Sequence, residues 1–254
     1  MSEPGRRNLD RKVALVTGST HGIGRAIAER FASLGAHVVV NSSSRNKAAR
    51  DTVEAIEKMG VRALAVQADV AKISDLDQLF AEAMDHFGQL DIVVASAGVE
   101  LPDQLVVDFT EADFDHLFSI NTKGAFFTLQ RAARYVSDNG RIIYIGSSLL
   151  SFPLPGWGLY TGSKAGPLFL VEVLAKEIGG RGVTVNTILP TATEGAGAPT
   201  AGTNSALGPA LVESRPIKRA GTLDDVANTA EYLASDLASF VSGQHLLVSG
   251  GAQA

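Results

Sequence analysis

Tyr160, Lys164, Ser147 and Asn121 are the residues of this chain whose types and spacing could carry chemistry. Tyr160-Thr161-Gly162-Ser163-Lys164 opens a helical stretch, so Tyr160 and Lys164, four positions apart, share one face. A free phenol titrates at about pH 10, and an adjacent ammonium favours the phenolate. A tyrosine tuned in this way can protonate a forming alkoxide near neutral pH, or take the proton from an alcohol in reverse. Taken alone, an ordinary helix face with a half-buried tyrosine and a lysine reaching for water explains the pair better. Two further residues change the balance. Ser147 ends the apolar run Ile142-Ile143-Tyr144-Ile145, where a parallel sheet places its ligand crevice. Asn121 is a polar residue in a largely apolar helical stretch, for which a buried amide satisfied by backbone is the plain alternative.

Such residues need a frame, and the frame starts at Val13-Ala14-Leu15-Val16. This short apolar run stops at Thr17-Gly18-Ser19-Thr20-His21-Gly22-Ile23-Gly24, after which Ile23, Ile27, Phe31 and Leu34 repeat at helical spacing. Strand, glycine turn and amphipathic helix open a dinucleotide-binding βαβ unit, here spaced Gly18-x-x-x-Gly22-x-Gly24. One glycine allows the sharp turn, one lets a pyrophosphate approach bare backbone, and one lets the helix pack on the sheet. The helix N-terminus then offers free N–H groups and partial positive charge to the phosphates.

Further strand-like runs follow at Val38-Val39-Val40, Ala63 to Val66, Ile92-Val93-Val94, Ile142 to Ile145, Val183 to Leu189 and Leu246-Leu247-Val248. Helical stretches alternate with them at Asn46–Met59, Ser74–Phe87, Glu111–Val136, Tyr160–Ile178 and Leu223–Ala234. The pattern predicts an α/β fold: one Rossmann-type, doubly wound parallel sheet of about seven strands with helices on both faces. A single domain over 11–254 is expected, behind a flexible lead-in over 1–10, and the Gly-, Ala-, Thr- and Pro-rich 191–211 is expected to be a lid. The 254 residues suffice for one sizeable core; a net charge of −5 offers no field for nucleic acid, and zero cysteines exclude disulfides and cysteine nucleophiles. No signal peptide or membrane-length apolar run is visible, so a cytoplasmic protein is expected.

The second strand selects the dinucleotide. An NAD site places an acid about 20 residues past the glycines, to hold the ribose hydroxyls. Here that point reads Asn41-Ser42-Ser43-Ser44-Arg45-Asn46-Lys47, and the first acid is Asp51. Small hydroxyls followed by cations suit a 2′-phosphate that a carboxylate would repel, and His21 could add a donor. The expectation is NADP(H), against a plain Ser-rich helix cap.

At this point nearly the whole chain, about residues 11 to 251, resembles the short-chain dehydrogenase/reductase family. Thr17-Gly18-x-x-x-Gly22-x-Gly24 resembles its cofactor loop, Asp69-Val70 its adenine-binding pair, and Tyr160-x-x-x-Lys164 its catalytic pair, with Ser147 13 residues upstream. Asn121 matches its fourth catalytic position. The end of the second strand and the Ser147 region look most like fungal naphthol reductases and bacterial 3-oxoacyl reductases. The resemblance implies that Tyr160 exchanges the proton, that Lys164 lowers its pKa and holds the nicotinamide ribose, that Ser147 binds the substrate oxygen, and that Asn121 holds a water. Ser148 is the runner-up for the serine role. A homotetramer is implied as well.

The chain also departs from the family pattern. Asn-Asn-Ala-Gly is replaced by Ala95-Ser96-Ala97-Gly98, so a bracing Asn is missing while backbone approach at Ala97 and Gly98 stays possible. The Pro-Gly after the sixth strand is Pro190-Thr191, the later cofactor-touching Thr falls at Gly195, and Thr193 is its candidate substitute. Pro167 removes a helical donor three residues past Lys164. Leu149, Leu150, Phe152, Pro153, Pro155 and Trp157 are the expected pocket wall; without a cation among them, they suit a neutral, fairly hydrophobic ketone or alcohol. An NAD-dependent dehydrogenase of a sugar or steroid alcohol is the enzymatic alternative. A dinucleotide-binding sensor without catalysis is the other, opposed by the intact Ser147, Tyr160 and Lys164.

Overall fold

A computed structural model describes residues 8–44, 47–101, 104–196, 213 and 215–252. Seven parallel strands form one sheet in the order β3-β2-β1-β4-β5-β6-β7. They are β1 (Val13–Val16), β2 (His37–Ser42), β3 (Ala63–Gln67), β4 (Ile92–Ala95), β5 (Arg141–Ile145), β6 (Thr184–Pro190) and β7 (His245–Val248). Val16 is in register with Val40 on one side and Val94 on the other, so strand order reverses at β1 and a crevice opens beyond the carboxyl ends of β1 and β4.

Every residue of β1 is buried because the sheet is covered twice. Ala14 and Val16 face a layer with Ile27 and Phe31 of α1 (Gly22–Ser33) and Val226, Ala230 and Leu233 of α7 (Leu223–Ala234). Val13 and Leu15 face the opposite layer, with Leu76, Leu79 and Phe80 of α3 (Ile73–Phe87), Leu129 of α5 (Ala125–Tyr135) and Val171 of α6 (Gly158–Ile178). Helix α2 (Lys47–Glu57) packs outside β2 and β3. Burying a fully apolar Leu, Ile or Phe side chain contributes about 1.5–3 kcal/mol, which the two layers repeat many times over.

Three sequence expectations change. The stretch Glu111–Val136 is not one α-helix: α4 (Glu111–Leu117) passes into a π-helical segment, Phe118–Gly124, before α5 begins. Gly124 lets that segment press against the β3–α3 connection, where an added Cβ would lie 2.9 Å from Val70 Cγ2. Helix α6 starts two residues before Tyr160 and runs on through Pro167. Leu9, inside the expected lead-in, is 2% exposed and its N–H donates to Leu34 O at 3.1 Å, so the chain enters the core before residue 11. Residues 1–7 of that lead-in and 197–211 of the expected lid lie outside the described residues. Among the described residues, no helix is long and apolar enough to cross a membrane.

Candidate active site

The glycine loop has the geometry its spacing predicts. Gly18 and Gly22 have φ of +64° and +52°, a region where a Cβ is strained. A Cβ on Gly24 would lie 2.4 Å from Gly18 O, so only glycine lets α1 start against the loop. Thr20 is buried with its hydroxyl 3.3 Å from His21 Nδ1, and exposed His21 is the N-cap of α1 without capping it through its side chain. The first turn, with Ile23, holds no acid, which leaves N–H groups and dipole open to an anion. Thr17 braces the loop: its hydroxyl accepts from Ser96 N at 3.0 Å and Ala97 N at 3.1 Å, tying β1 to the loop after β4.

One expected cofactor contact, Asn41, is corrected, and a second, Thr193, has its proton engaged within the protein. Asn41 is 1% exposed, and its side chain is used inside the protein. Oδ1 accepts from Gly18 N at 3.1 Å, while Nδ2 donates to Ala68 O at 3.0 Å and Val66 O at 3.4 Å. Asn41 therefore braces the glycine loop instead of reaching a ribose phosphate. Thr193, bridged to Gly221, donates its hydroxyl to Thr191 O at 2.7 Å, so that proton is not offered to a cofactor. Thr191 Oγ1, next to buried Pro190, accepts from Arg215 Nη2 at 3.1 Å. Of the serines after β2, Ser42 donates to Ser44 O at 2.7 Å, whereas Ser43 and Ser44 are exposed. Arg45 lies outside the described residues. Asp69 Oδ1 accepts from Ala71 N at 3.0 Å, shaping the turn in which buried Val70 supports the π segment.

The chemical residues converge at the carboxyl ends of β4 and β5. Ser147 caps a single 3₁₀ turn, accepting from Leu149 N at 3.2 Å, with its hydroxyl near enough to Tyr160 to favour the phenolate. Ser148 opens the turn itself. Lys164 is 4% exposed; its Nζ donates to Ile145 O at 3.2 Å and lies 5.9 Å from the Tyr160 ring centroid. A Cβ on Gly98 would lie 2.8 Å from Lys164 Nζ and 3.1 Å from Asn121 Oδ1, so glycine there makes room for both. Asn121 is fully buried. Its Oδ1 accepts from Val99 N at 2.9 Å, and its Nδ2 donates to Val99 O at 2.8 Å and Ser163 Oγ at 2.9 Å. Both amide protons are taken by protein, so the expected water cannot be held by them. Trp157 meets the Tyr160 ring edge-on with centroids 5.7 Å apart, on the side expected for the pocket wall.

The electrostatics depart from the simple expectation that Lys164 lowers the Tyr160 pKa. Burial, and second the Glu100 carboxylate, push the Tyr160 phenol above its usual range, with the Ser147 hydrogen bond acting the other way. Burial brings Lys164 down from 10.5 to about 8, against the opposing pull of Glu100. At neutral pH Tyr160 is therefore a neutral phenol, as a free tyrosine would be. No motif marks Glu100; its signal is that the chain leaving β4 past Gly98 must cross the site. Burial raises the Glu100 carboxyl above the usual carboxylate range while Lys164 pulls it down. In alcohol oxidation, which needs the phenolate, Glu100→Gln should move the rise of kcat/KM with pH to lower pH, because a charge opposing the phenolate is gone. An unchanged profile would put that carboxylate out of reach of Tyr160. No motif marks Arg215 either: it is 1% exposed, its Nε has no hydrogen-bond partner, and it pairs with no carboxylate among the described residues.

The residues present fit a nicotinamide dinucleotide: a glycine cradle that a Cβ would fill, an uncapped helix N-terminus, and an exposed Gly98 beside Lys164. Comparison with known proteins agrees. Residues 18–253 match a family model described as enoyl-(acyl carrier protein) reductase. A short chain dehydrogenase/reductase, dmxR18, of Cryptosporiopsis sp. is 38% identical over 96% of each chain. A hydroxynaphthalene reductase-like protein, Arp2, of Metarhizium brunneum is 38% identical over 98% of each. Among solved structures, a dehydrogenase/reductase from Sinorhizobium meliloti 1021 superposes with a TM-score of 0.90 at 37% identity, covering 98% of both chains. A short chain dehydrogenase from Burkholderia cenocepacia J2315, in complex with NADP, has a TM-score of 0.87 at 34% identity over 96% of this chain and 98% of its own.

Proposed function

The chain belongs to the short-chain dehydrogenase/reductase family, and from that premise we propose that this oxidoreductase is an NADP(H)-dependent carbonyl reductase of neutral, fairly hydrophobic ketones. One arrangement carries the reaction type: Ser147, Tyr160 and Lys164 come together at the carboxyl end of β5, with Lys164 Nζ on Ile145 O and 5.9 Å from the Tyr160 ring centroid, so that the serine and tyrosine hydroxyls can address one carbonyl oxygen. Bound NADPH would supply the hydride. The chain's part is to hold the ketone and deliver a proton. Ser147, its acceptor side engaged by Leu149 N–H, has one proton to donate, which turns from the phenol to the substrate oxygen. Tyr160, a neutral phenol, donates as charge develops on that oxygen. Lys164, brought to about 8, can exchange a proton near neutrality and restore the phenol.

Residues Gly18, Gly22, Ile23 and Gly24 would hold the pyrophosphate, Asp69 and Val70 the adenine, and Ala97, Gly98, Tyr160 and Lys164 the nicotinamide end. NADP(H) is favoured because no acid stands at the end of β2: Asn41 is turned inward, and exposed Ser43 and Ser44 come next. The NADP bound by the Burkholderia relative supports this choice. The substrate class rests on apolar Leu149, Leu150, Phe152 and Trp157 together with Glu100, which repels carboxylates. Exposed Phe126 on α5 and Phe169 and Val173 on α6 support a homotetramer built through these helices.

The test is initial rates with NADPH and NADH on matched ketones, neutral aryl or alkyl against carboxylate-bearing. NADPH is expected to be preferred by about tenfold or more in kcat/KM, and the neutral ketone by a similar factor. Preference for NADH would reverse the cofactor assignment, and preference for the acid would reverse the substrate assignment.

A further inference from the structure

Helix α6 carries a proline where its hydrogen-bond ladder needs a donor. Pro167 has no N–H, so the carbonyl of Ser163, four residues earlier, loses its helical partner. The replacement comes from another element: Thr122 Oγ1 donates to Ser163 O at 2.7 Å. Thr122 lies in the π segment directly after Asn121, whose Nδ2 donates to Ser163 Oγ at 2.9 Å. Ser163 Oγ in turn donates to Tyr160 O at 2.7 Å. Ser163, fully buried and adjacent to Lys164, is therefore gripped by side chain and carbonyl from two consecutive residues of the π segment. Thr122 also packs beside Gly166, where an added Cβ would meet Thr122 Cγ2 at 3.5 Å, an ordinary contact.

We propose that Thr122 is a positioning residue whose hydroxyl takes the place of the donor deleted by Pro167 and fixes the Asn121 segment against the turn bearing Tyr160 and Lys164. The inference rests on the carbonyl-reductase reading, because Thr122 acts only through those residues. Satisfying a buried carbonyl is a separate role from tying two elements together, and the two can be pulled apart. Alanine at 167 restores an N–H to the Ser163 carbonyl but cannot restore the tie.

The experiment compares wild type, Thr122→Val, Thr122→Ser, Pro167→Ala and the Thr122→Val/Pro167→Ala double variant. It records Tm, the kcat and KM for a turned-over ketone with NADPH, and NADPH affinity by fluorescence. Thr122→Val should lower Tm by about 2–6 °C and kcat about tenfold, with KM and NADPH affinity within about twofold. In the double variant Tm should return towards that of Pro167→Ala while kcat stays low. Thr122→Ser should keep both. If kcat recovers together with Tm in the double variant, or if Thr122→Val lowers Tm alone, the role is structural only and the proposal falls. Should Thr122→Val not fold, the double variant still decides: low kcat supports the tie, and wild-type kcat overturns it. A Tyr160→Phe control that keeps full turnover would show that the carbonyl-reductase reading has failed, and the inference with it.

Discussion

Tyr160→Phe is expected to lower kcat for ketone reduction by about 10³-fold, with a fall in NADPH affinity of no more than about tenfold from the hydroxyl lost at the nicotinamide end. The substitution removes one hydroxyl and keeps the ring against Trp157, so the apolar wall survives. The glycine loop, Thr17 and Asn41 lie outside its contacts, which is why affinity should fall no further. The loss is large because the site offers one well-placed acid. Burial and Glu100 raise the phenol above its ordinary value, so it carries its proton at neutral pH. Glu100 is the other titratable group facing Tyr160 and Lys164, its carboxyl raised by burial and pulled down by Lys164. Steady-state rates on both variants separate them. If Tyr160→Phe stays within tenfold of wild type while Glu100→Gln is inactive, the proton comes from Glu100 and the assignment to Tyr160 is wrong.

What sequence could and could not show follows from what each signal measures. Apolar runs report burial, so the seven strands and their sheet were legible, and the continuous run Val13 to Val16 signalled a strand covered on both sides. Glycine spacing reports forbidden backbone and close approach, so the jobs of Gly18, Gly22 and Gly24 could be read before any geometry. Periodicity does not report hydrogen-bond register. Apolar residues continue through 111–136, and the π segment that turns Asn121 inward left no mark in that pattern. Polar residue type is silent on direction: Asn41 looked like a ribose contact because of its place at the end of β2, yet its amide braces Gly18 and β3. Glu100 and Arg215 belong to no motif, and their importance comes from burial that only tertiary packing creates.

Lys164→Met should abolish most turnover and at the same time stabilise the cofactor-free protein. Wild-type Lys164 is buried with its ammonium on one carbonyl, Ile145 O, and burial takes its pKa from 10.5 to about 8. That difference corresponds to about 3 kcal/mol of unfavourable charge burial at pH 7, from about 1.4 kcal/mol per unit. Methionine fills similar volume without charge, and losing the bond to Ile145 O returns about 1 kcal/mol, so a net gain of about 2 kcal/mol is expected. In a chain of this length, that is about 4–8 °C in Tm. The pH dependence identifies the cause. Between about pH 8 and 10.5 the unfolded lysine binds more proton than the folded one, so wild-type stability rises with pH through that window. The variant lacks this contribution, and the gap between the two should close as pH rises. Chemical denaturation at pH 7 and pH 10 measures it. A variant less stable than wild type at pH 7, or a gap independent of pH, would show that Lys164 is not held at a cost. A charge kept at such a site against its own burial is what function, not folding, would retain: turnover, expected to fall about 10²–10³-fold in the variant, needs a cation between Tyr160 and Gly98 that the ligand-free fold is better off without.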